Sequence, residues 1–369
     1  MQLVELREKP EAKKEEKVEL KLIRNETADL LKGITAFLII HVHLTEFLAR
    51  PELFESLYGK YSLFFGGVPC APLLMCIMGY FLAASVHSSS EQLKRGLAIF
   101  FGGILLNFVL NGNLLLKIYT RKSHLNPYDF IFGVDILLFA GLAVILITIL
   151  KPILRFHYLV PFFLAFFVAS ATVNVNSVLS FEPSFIKYLF AFLGGNYHFA
   201  YFPIFPWLAY PLAGFFFYEF DFSFVKSLGN KVQLFLLFIL TAYVCLTFDF
   251  GFNNSSNLSF YYHHNIKYFC WAAGFLFFLV HLFFLINQTL DWWIPIRFSK
   301  WLGKNLLTFY IFQWIIIGNL TTSFYKSLNF WQLISWEFQI LVLVSFLVLI
   351  WEKSEISVKL FGKQVFTKN

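Results

Sequence analysis

The sequence predicts an all-α, polytopic integral membrane protein of about ten transmembrane helices, with both termini in the cytoplasm. Three observations carry this. Apolar runs of about 20 residues recur along the chain, each long enough to cross a bilayer as a helix. Only 14% of the 369 residues are charged, against 58% apolar and 21% aromatic, and the mean hydropathy is +0.67. A water-soluble domain carries about a quarter charged residues. The Lys and Arg residues fall mostly between the runs and are shared unequally: nineteen on the side of the termini, eight on the other. That asymmetry places the termini in the cytoplasm. The formal charge of +7 is therefore an orientation signal, not a mark of nucleic-acid binding.

Residues 1–26 hold seven Lys/Arg and seven Asp/Glu and cannot bury a core, so they read as a charged cytoplasmic tail. Residues 27–352 form the membrane domain, and 353–369 a second tail. Spans are expected over 30–48, 67–86, 96–116, 131–150 and 157–175, then over 203–220, 231–249, 267–287, 301–319 and 333–351. Residues 50–65 are too short and too charged to cross and read as an interfacial helix. Within 180–211, Gly194-Gly195, Pro203, Pro206 and Pro211 interrupt any continuous helix. Broken backbone at membrane depth survives only where it is packed in protein or lines a wet cavity. Residues 253–259 and His263-His264 read as an exposed outer loop. Cys70, Cys76, Cys245 and Cys270 match no zinc or disulfide spacing, so no metal is expected. No cleavable signal peptide is expected either.

The first span carries the chemistry. Asp29–Ala49, DLLKGITAFLIIHVHLTEFLA, is apolar enough to cross yet holds Asp29, Lys32, His41, His43 and Glu46. Ionisable groups at membrane depth are costly and mark functional sites by default. At 100° per residue, Lys32 and His43 are eleven steps apart and fall within about 20° of each other; Asp29 lies about 40° away from His43. Glu46 lies one turn beyond, close to the same stripe. His41 is nine steps from Lys32, on the opposite side. His43 is fourteen residues from Asp29, so roughly 20 Å into the membrane. An imidazole there can take and return a proton near neutral pH, with Glu46 or a backbone carbonyl holding its tautomer. Asp29 and Lys32 are equally explained as headgroup-level residues at the helix end.

Asp135, alone among apolar residues in its span, is expected to face the bundle interior, paired with Lys32 or Asn107. Tyr310 and Gln313 lie one turn apart and are candidates to line a cavity. His198, Tyr201 and Trp207, in the broken segment, are candidates for stacking on a sugar. With 51 Phe in the chain, aromatic residues are more often lipid-facing or core.

Asp29-Leu-Leu-Lys32-Gly33 with His43 eleven residues after Lys32 resembles the first-span signature of membrane acyltransferases. These are the acyltransferase-3 family and the related heparan-alpha-glucosaminide N-acetyltransferase-like proteins. Pro72 through Gly79-Tyr-Phe-Leu is similar to their second-span motif, and Asp135-Ile-Leu, Phe205-Pro206-Trp207 and Leu302-Gly303 through Tyr310 to later ones. The likeness runs from about 27 to 350. The sequence departs at Lys32 (arginine in the family), Met78 (serine) and Gln313 (histidine). The resemblance implies transfer of an acyl group, usually acetyl from acetyl-CoA, to a hydroxyl or amine of a glycan or small-molecule acceptor across the membrane. His43, whose position matches the family's, is the catalytic candidate, with Glu46 and Asp135 beside it; a structural role for Asp135 is as well supported as a catalytic one. Lys32, Asp29, Asn107, Tyr310 and Gln313 are the candidates for the acyl-CoA site; Lys94, Arg95 and Arg155 are candidates to help it but are better explained as orientation charges. The resemblance implies residence in a cell (inner) membrane and leaves the oligomeric state open, a homodimer included. A transporter or flippase of a polar solute is the competing reading, since a broken segment and a buried Asp135 serve it too. No paired broken helices in matching halves support it.

Overall fold

The computed structural model describes residues 25–179, 185–220 and 228–354. The two expected tails lie almost wholly outside these. Among the described residues the fold is all-α, with two isolated β-bridges and no strand. Among the described residues, eight helices are long and apolar enough to cross a membrane. The count is nine when Asn230–Leu246 and Phe248–Ser255, bent by 60°, form one span. The chain is thus a multi-pass membrane protein.

The first helix, α1 (Glu26–Leu48), is the axis. Its first turn is secured by the Asn25 side chain, which accepts from the Ala28 amide, and by Glu26 and Asp29 at the positive end of the dipole. The chain continues through α2 (Leu57–Gly67), α3 (Ala71–Ala84), α4 (Ser89–Leu110), α5 (Ile136–Leu154) and α6 (Leu159–Leu179). Then follow α7 (Ala209–Glu219), α8 (Asn230–Leu246), α9 (Ile266–Thr289), α10 (Ile294–Lys304), α11 (Leu306–Phe324) and α12 (Phe330–Lys353). Helices α2, α9, α10, α11 and α12 all pack on α1.

Lipid tails are as apolar as leucine, so burial alone gives helices in a bilayer little reason to associate; close backbone approach at small residues does. Here α1 and α10 cross at Gly33 and Gly303. A Cβ on Gly33 would lie 1.7 Å from the Ser299 carbonyl oxygen, and one on Gly303 1.8 Å from that of Asp29. Helices α3 and α7 cross the same way at Gly79 and Gly214. Large aromatic side chains on the outer faces, such as Phe101, Phe163, Phe238 and Phe338, remain exposed to lipid.

Four elements depart from expectation. Residues 57–67 are not interfacial: α2 buries Gly59, Ser62, Leu63, Phe64 and Gly67 and leads into α3 as a single 28-residue apolar stretch. The charges of 50–65 lie mostly ahead of α2, at Arg50, Glu52 and Glu55, with only Lys60 inside it, while Gly66 sits against Val42 of α1. The sixth expected span, 203–220, is a short helical turn, Ile204–Trp207, kinked where Phe205 leaves the helical region, followed by the eleven-residue α7. The ninth, 301–319, breaks at Asn305, whose side chain donates to Glu352 at 2.7 Å. Asp135 stands at the N-cap of α5 rather than within a span.

His264 is buried rather than on an exposed loop. Its Nδ1 donates to the Tyr261 carbonyl at 2.7 Å, and its Nε2 accepts from the Tyr210 hydroxyl at 2.8 Å. Burial holds its pKa down to about 3, so it is a neutral bridge.

Candidate active site

Two connections between helices position the site. After α1, the chain at 47–50 pairs with 326–328: Lys326 N donates to Phe47 O at 3.0 Å and Arg50 N to Leu328 O at 2.9 Å. Before α5, Val134 N donates to Phe199 O at 2.8 Å and Phe202 N to Val134 O at 2.9 Å. Asn107 of α4 donates to the carbonyls of Ile131 and Gly133 at 3.2 and 2.9 Å. These bonds hold the loop in front of Asp135, whose carboxylate then accepts from the Tyr310 hydroxyl of α11 at 2.8 Å.

His43, Glu46, Asp135, Tyr310, Tyr262 and Phe202 line one cavity of about 60 Å³. His43 and Glu46 of α1 thus face one cavity, which Asp29 and Lys32 do not line. His41, on the other side of α1, has its Nδ1 3.0 Å from Glu337 of α12. The His43 ring stacks on Trp314, with centroids 3.9 Å apart, and its Nδ1 lies 3.5 Å from Gln313 Nε2. Gln313, not Glu46 or a backbone carbonyl, meets the ring nitrogen. At the cavity rim, burial first, and the Glu46 charge second, hold the phenols of Tyr201 and Tyr262 above their usual range. Both are neutral hydrogen-bonding groups. Desolvation lowers the Lys326 ammonium's pKa, while Glu46 and Glu55 oppose that.

A larger cavity of about 590 Å³ opens at the other end of α1, between α1, α3, α7 and α9. Its walls are mainly apolar and aromatic, with Leu31, Tyr80, Phe81, Tyr210 and Phe277 among them. Leu31 lines this cavity and Ile39 the smaller one, eight residues or roughly 12 Å along the helix. Between them Thr35 Oγ1 donates to the Pro69 carbonyl at 3.1 Å, beside the break that joins α2 to α3.

The family model for heparan-alpha-glucosaminide N-acetyltransferase, catalytic, matches residues 24–243, more than half of the chain. The chain belongs to that family. No curated protein and no solved structure matches it. The N-acetyltransferase match narrows the resemblance drawn from the sequence to this branch. It takes in α1 to α7 and most of α8, and so Lys32, His43, Glu46 and Asp135, but ends before α11. Tyr310, Gln313 and Trp314 reach the His43 cavity from outside the matched stretch.

The remaining expected residues fall in different places. Asp29 and Lys32 pair at 2.7 Å at the end of α1 near the larger cavity, with Lys32 Nζ 5.8 Å from the centre of the Phe81 ring. Asp135 is bonded to Tyr310 rather than to Lys32 or to the Asn107 side chain. Arg155 donates to Ala83 O at 2.7 Å and, with Lys151, caps the carbonyl end of α3. That accounts for its charge without a ligand. Tyr201 packs against Tyr262 at the cavity rim, with centroids 5.2 Å apart. His198 lies outside the cavity, 78% exposed and 3.3 Å from Asp129. Trp207 is wholly buried among Phe202, Tyr210 and Tyr261, with its indole N–H on the Tyr262 carbonyl, so it offers no face to a sugar. Tyr262, Phe202 and Trp314 were not foreseen. The only sequence signal for Tyr262 is the polar run Tyr261-Tyr-His-His264; one more aromatic in so aromatic a chain carries none. Among the described residues no cluster of His, Cys, Asp and Glu suits a metal ion.

Proposed function

We propose that this membrane acetyltransferase takes an acetyl group from acetyl-CoA on the cytoplasmic side. It passes the group to a hydroxyl or amine of a glycan-like acceptor on the far side, with His43 as general base. The observation that carries this is the shared cavity of His43, Glu46 and Asp135, on the same stripe of α1 whose other end bears Lys32. The acceptor gives its proton to the imidazole as its oxygen or nitrogen attacks the thioester carbon. The carbon–sulfur bond breaks, and the CoA thiolate leaves with the proton the imidazolium returns. The larger cavity offers an apolar channel for the pantetheine arm. Tyr201 and Tyr262 present aromatic edges to the acceptor. Two carboxylates with no Lys or Arg in the cavity lining favour an amine acceptor over a hydroxyl. The decisive experiment incubates purified protein with labelled acetyl-CoA and glucosamine. Labelled N-acetylglucosamine supports the reading, and CoA neither bound nor consumed sinks it.

Lys32 grips the donor head in this reading. Lys32→Ala is expected to weaken acetyl-CoA binding about tenfold, the scale of one charge-assisted hydrogen bond. Lys32→Arg, with a planar fork for phosphate, keeps or improves it. Calorimetric titration with acetyl-CoA measures both, and unchanged binding by Lys32→Ala removes the residue from the donor site.

Both termini are cytoplasmic in this reading, from the asymmetry of the basic residues. Single cysteines at Asn257 and Lys94, both exposed, are introduced after Cys245 and Cys270 are replaced by serine. An impermeant maleimide applied to whole cells should label position 257 and spare 94. The reverse pattern inverts the orientation.

A further inference from the structure

Gln313 sits on α11 one turn beyond Tyr310, wholly buried, with its carboxamide against His43 Nδ1. Its Nε2 points to that nitrogen at 3.5 Å, while its Oε1 is buried without a hydrogen-bond partner. An unpaired buried amide oxygen is costly, and the two ends of a carboxamide exchange by a half-turn about one bond. That half-turn sets Oε1 on the imidazole and pairs it with an Nδ1–H. The other ring nitrogen is then left with its lone pair. Trp314, the next residue, stacks on the imidazole face at 3.9 Å and limits its rotation. The ring is thus held by its edge and by its face from two consecutive residues of one helix.

We propose that Gln313 is the positioning residue for His43, accepting Nδ1–H through Oε1 and so keeping the other ring nitrogen unprotonated for the acceptor. This rests on His43 being the base. The same bond persists when the ring becomes an imidazolium, because Nδ1 carries its proton in both states. Of the other ionisable groups around the ring, Glu46, Asp135, Tyr310 and Tyr262 border the cavity, and Lys326 acts on Glu46. None of these is hydrogen-bonded to Nδ1.

The test compares Gln313→Met, Gln313→Glu and His43→Ala with the unaltered protein, using labelled acetyl-CoA and glucosamine. Active sites are counted by acetyl-CoA binding, so that loss of folded protein does not count as loss of rate. Methionine fills the space without a hydrogen bond, and glutamate keeps an accepting oxygen. Gln313→Met should lower kcat about 10- to 100-fold, within the range for a disturbed general base, and leave KM for acetyl-CoA unchanged. Gln313→Glu should restore most of the lost rate. Gln313→Met at full kcat overturns the proposal, as does a Glu variant no better than the Met variant, which would mean that packing or donation is what Gln313 supplies. Transfer by His43→Ala at the unaltered rate overturns the parent reading, and this proposal with it. Active wild type, inactive His43→Ala and fully active Gln313→Met overturn this proposal alone.

Discussion

Replacing His43 by alanine should lower the acetyl-transfer rate by about 10²–10⁴-fold, the usual cost of removing a general acid or base. Binding of acetyl-CoA should survive, because His43 lines the small cavity and not the large one near Lys32. The comparison must be with the right control. His41→Ala removes the partner of Glu337, which is 8% exposed, and leaves a buried carboxylate unpaired. That change costs stability on its own account. His41→Gln keeps a hydrogen bond to Glu337, and it should retain near-normal kcat and folded yield. Glu46→Gln should be intermediate, since Glu46 borders the cavity without touching the ring nitrogen. Rates measured per acetyl-CoA-binding site decide the matter. If His43→Ala transfers at the unaltered rate, acyl transfer by a first-helix histidine is wrong, and the transporter reading gains.

Gly33→Ala should be the most disruptive single-methyl change in the protein. The added Cβ would stand 1.7 Å from the Ser299 carbonyl oxygen, 2.4 Å from its carbon and 2.9 Å from its Cα. The obstacle is backbone, so no rotamer change relieves it, and α1 and α10 must move apart. Overpacking a core commonly costs about 1–3 kcal/mol and occasionally more. A backbone clash at a helix crossing belongs at or beyond the upper end, because separation there forfeits contacts along both helices. The control is Gly102→Ala on α4, where nothing lies within 4 Å of the added carbon. There the change removes a poor helix former and should be neutral or slightly stabilising. Thermal midpoints in detergent should therefore fall sharply for Gly33→Ala and not for Gly102→Ala. Equal midpoints would show that the two helices do not approach so closely.

The membrane-spanning character of the chain was legible because it needs only apolar runs of sufficient length and a count of basic residues between them. The boundaries were less so. The nature of 57–67 depended on whether α1 offered a surface for Ser62 and Gly66, which meet Thr45 and Val42. A string of residues with charges near one end has the same pattern whether it lies on a membrane or against another helix. The break at Asn305 was hidden for a like reason. Glu352, nearly fifty residues later, accepts from the Asn305 side chain at the interrupted turn. His264 reads as a loop histidine in sequence. It is a buried neutral bridge only because Tyr210 and the Tyr261 carbonyl occupy its two nitrogens.

By itself the sequence determined which face of the first helix carries His43. Helical periodicity is a local property, fixed by 100° per residue, so His43 and His41 were assigned to opposite sides before any partner was known. Tertiary structure decided everything that meets that face. Gln313, Trp314 and Tyr310 come to it from a helix about 270 residues away. Asp135 reaches it from a loop held by Asn107 and by the 199–202 segment. Such encounters depend on where helices cross. The crossings in turn depend on whether a Cβ at Gly33, Gly79, Gly214 or Gly303 would strike another backbone, which is a distance in space and not a spacing along the chain.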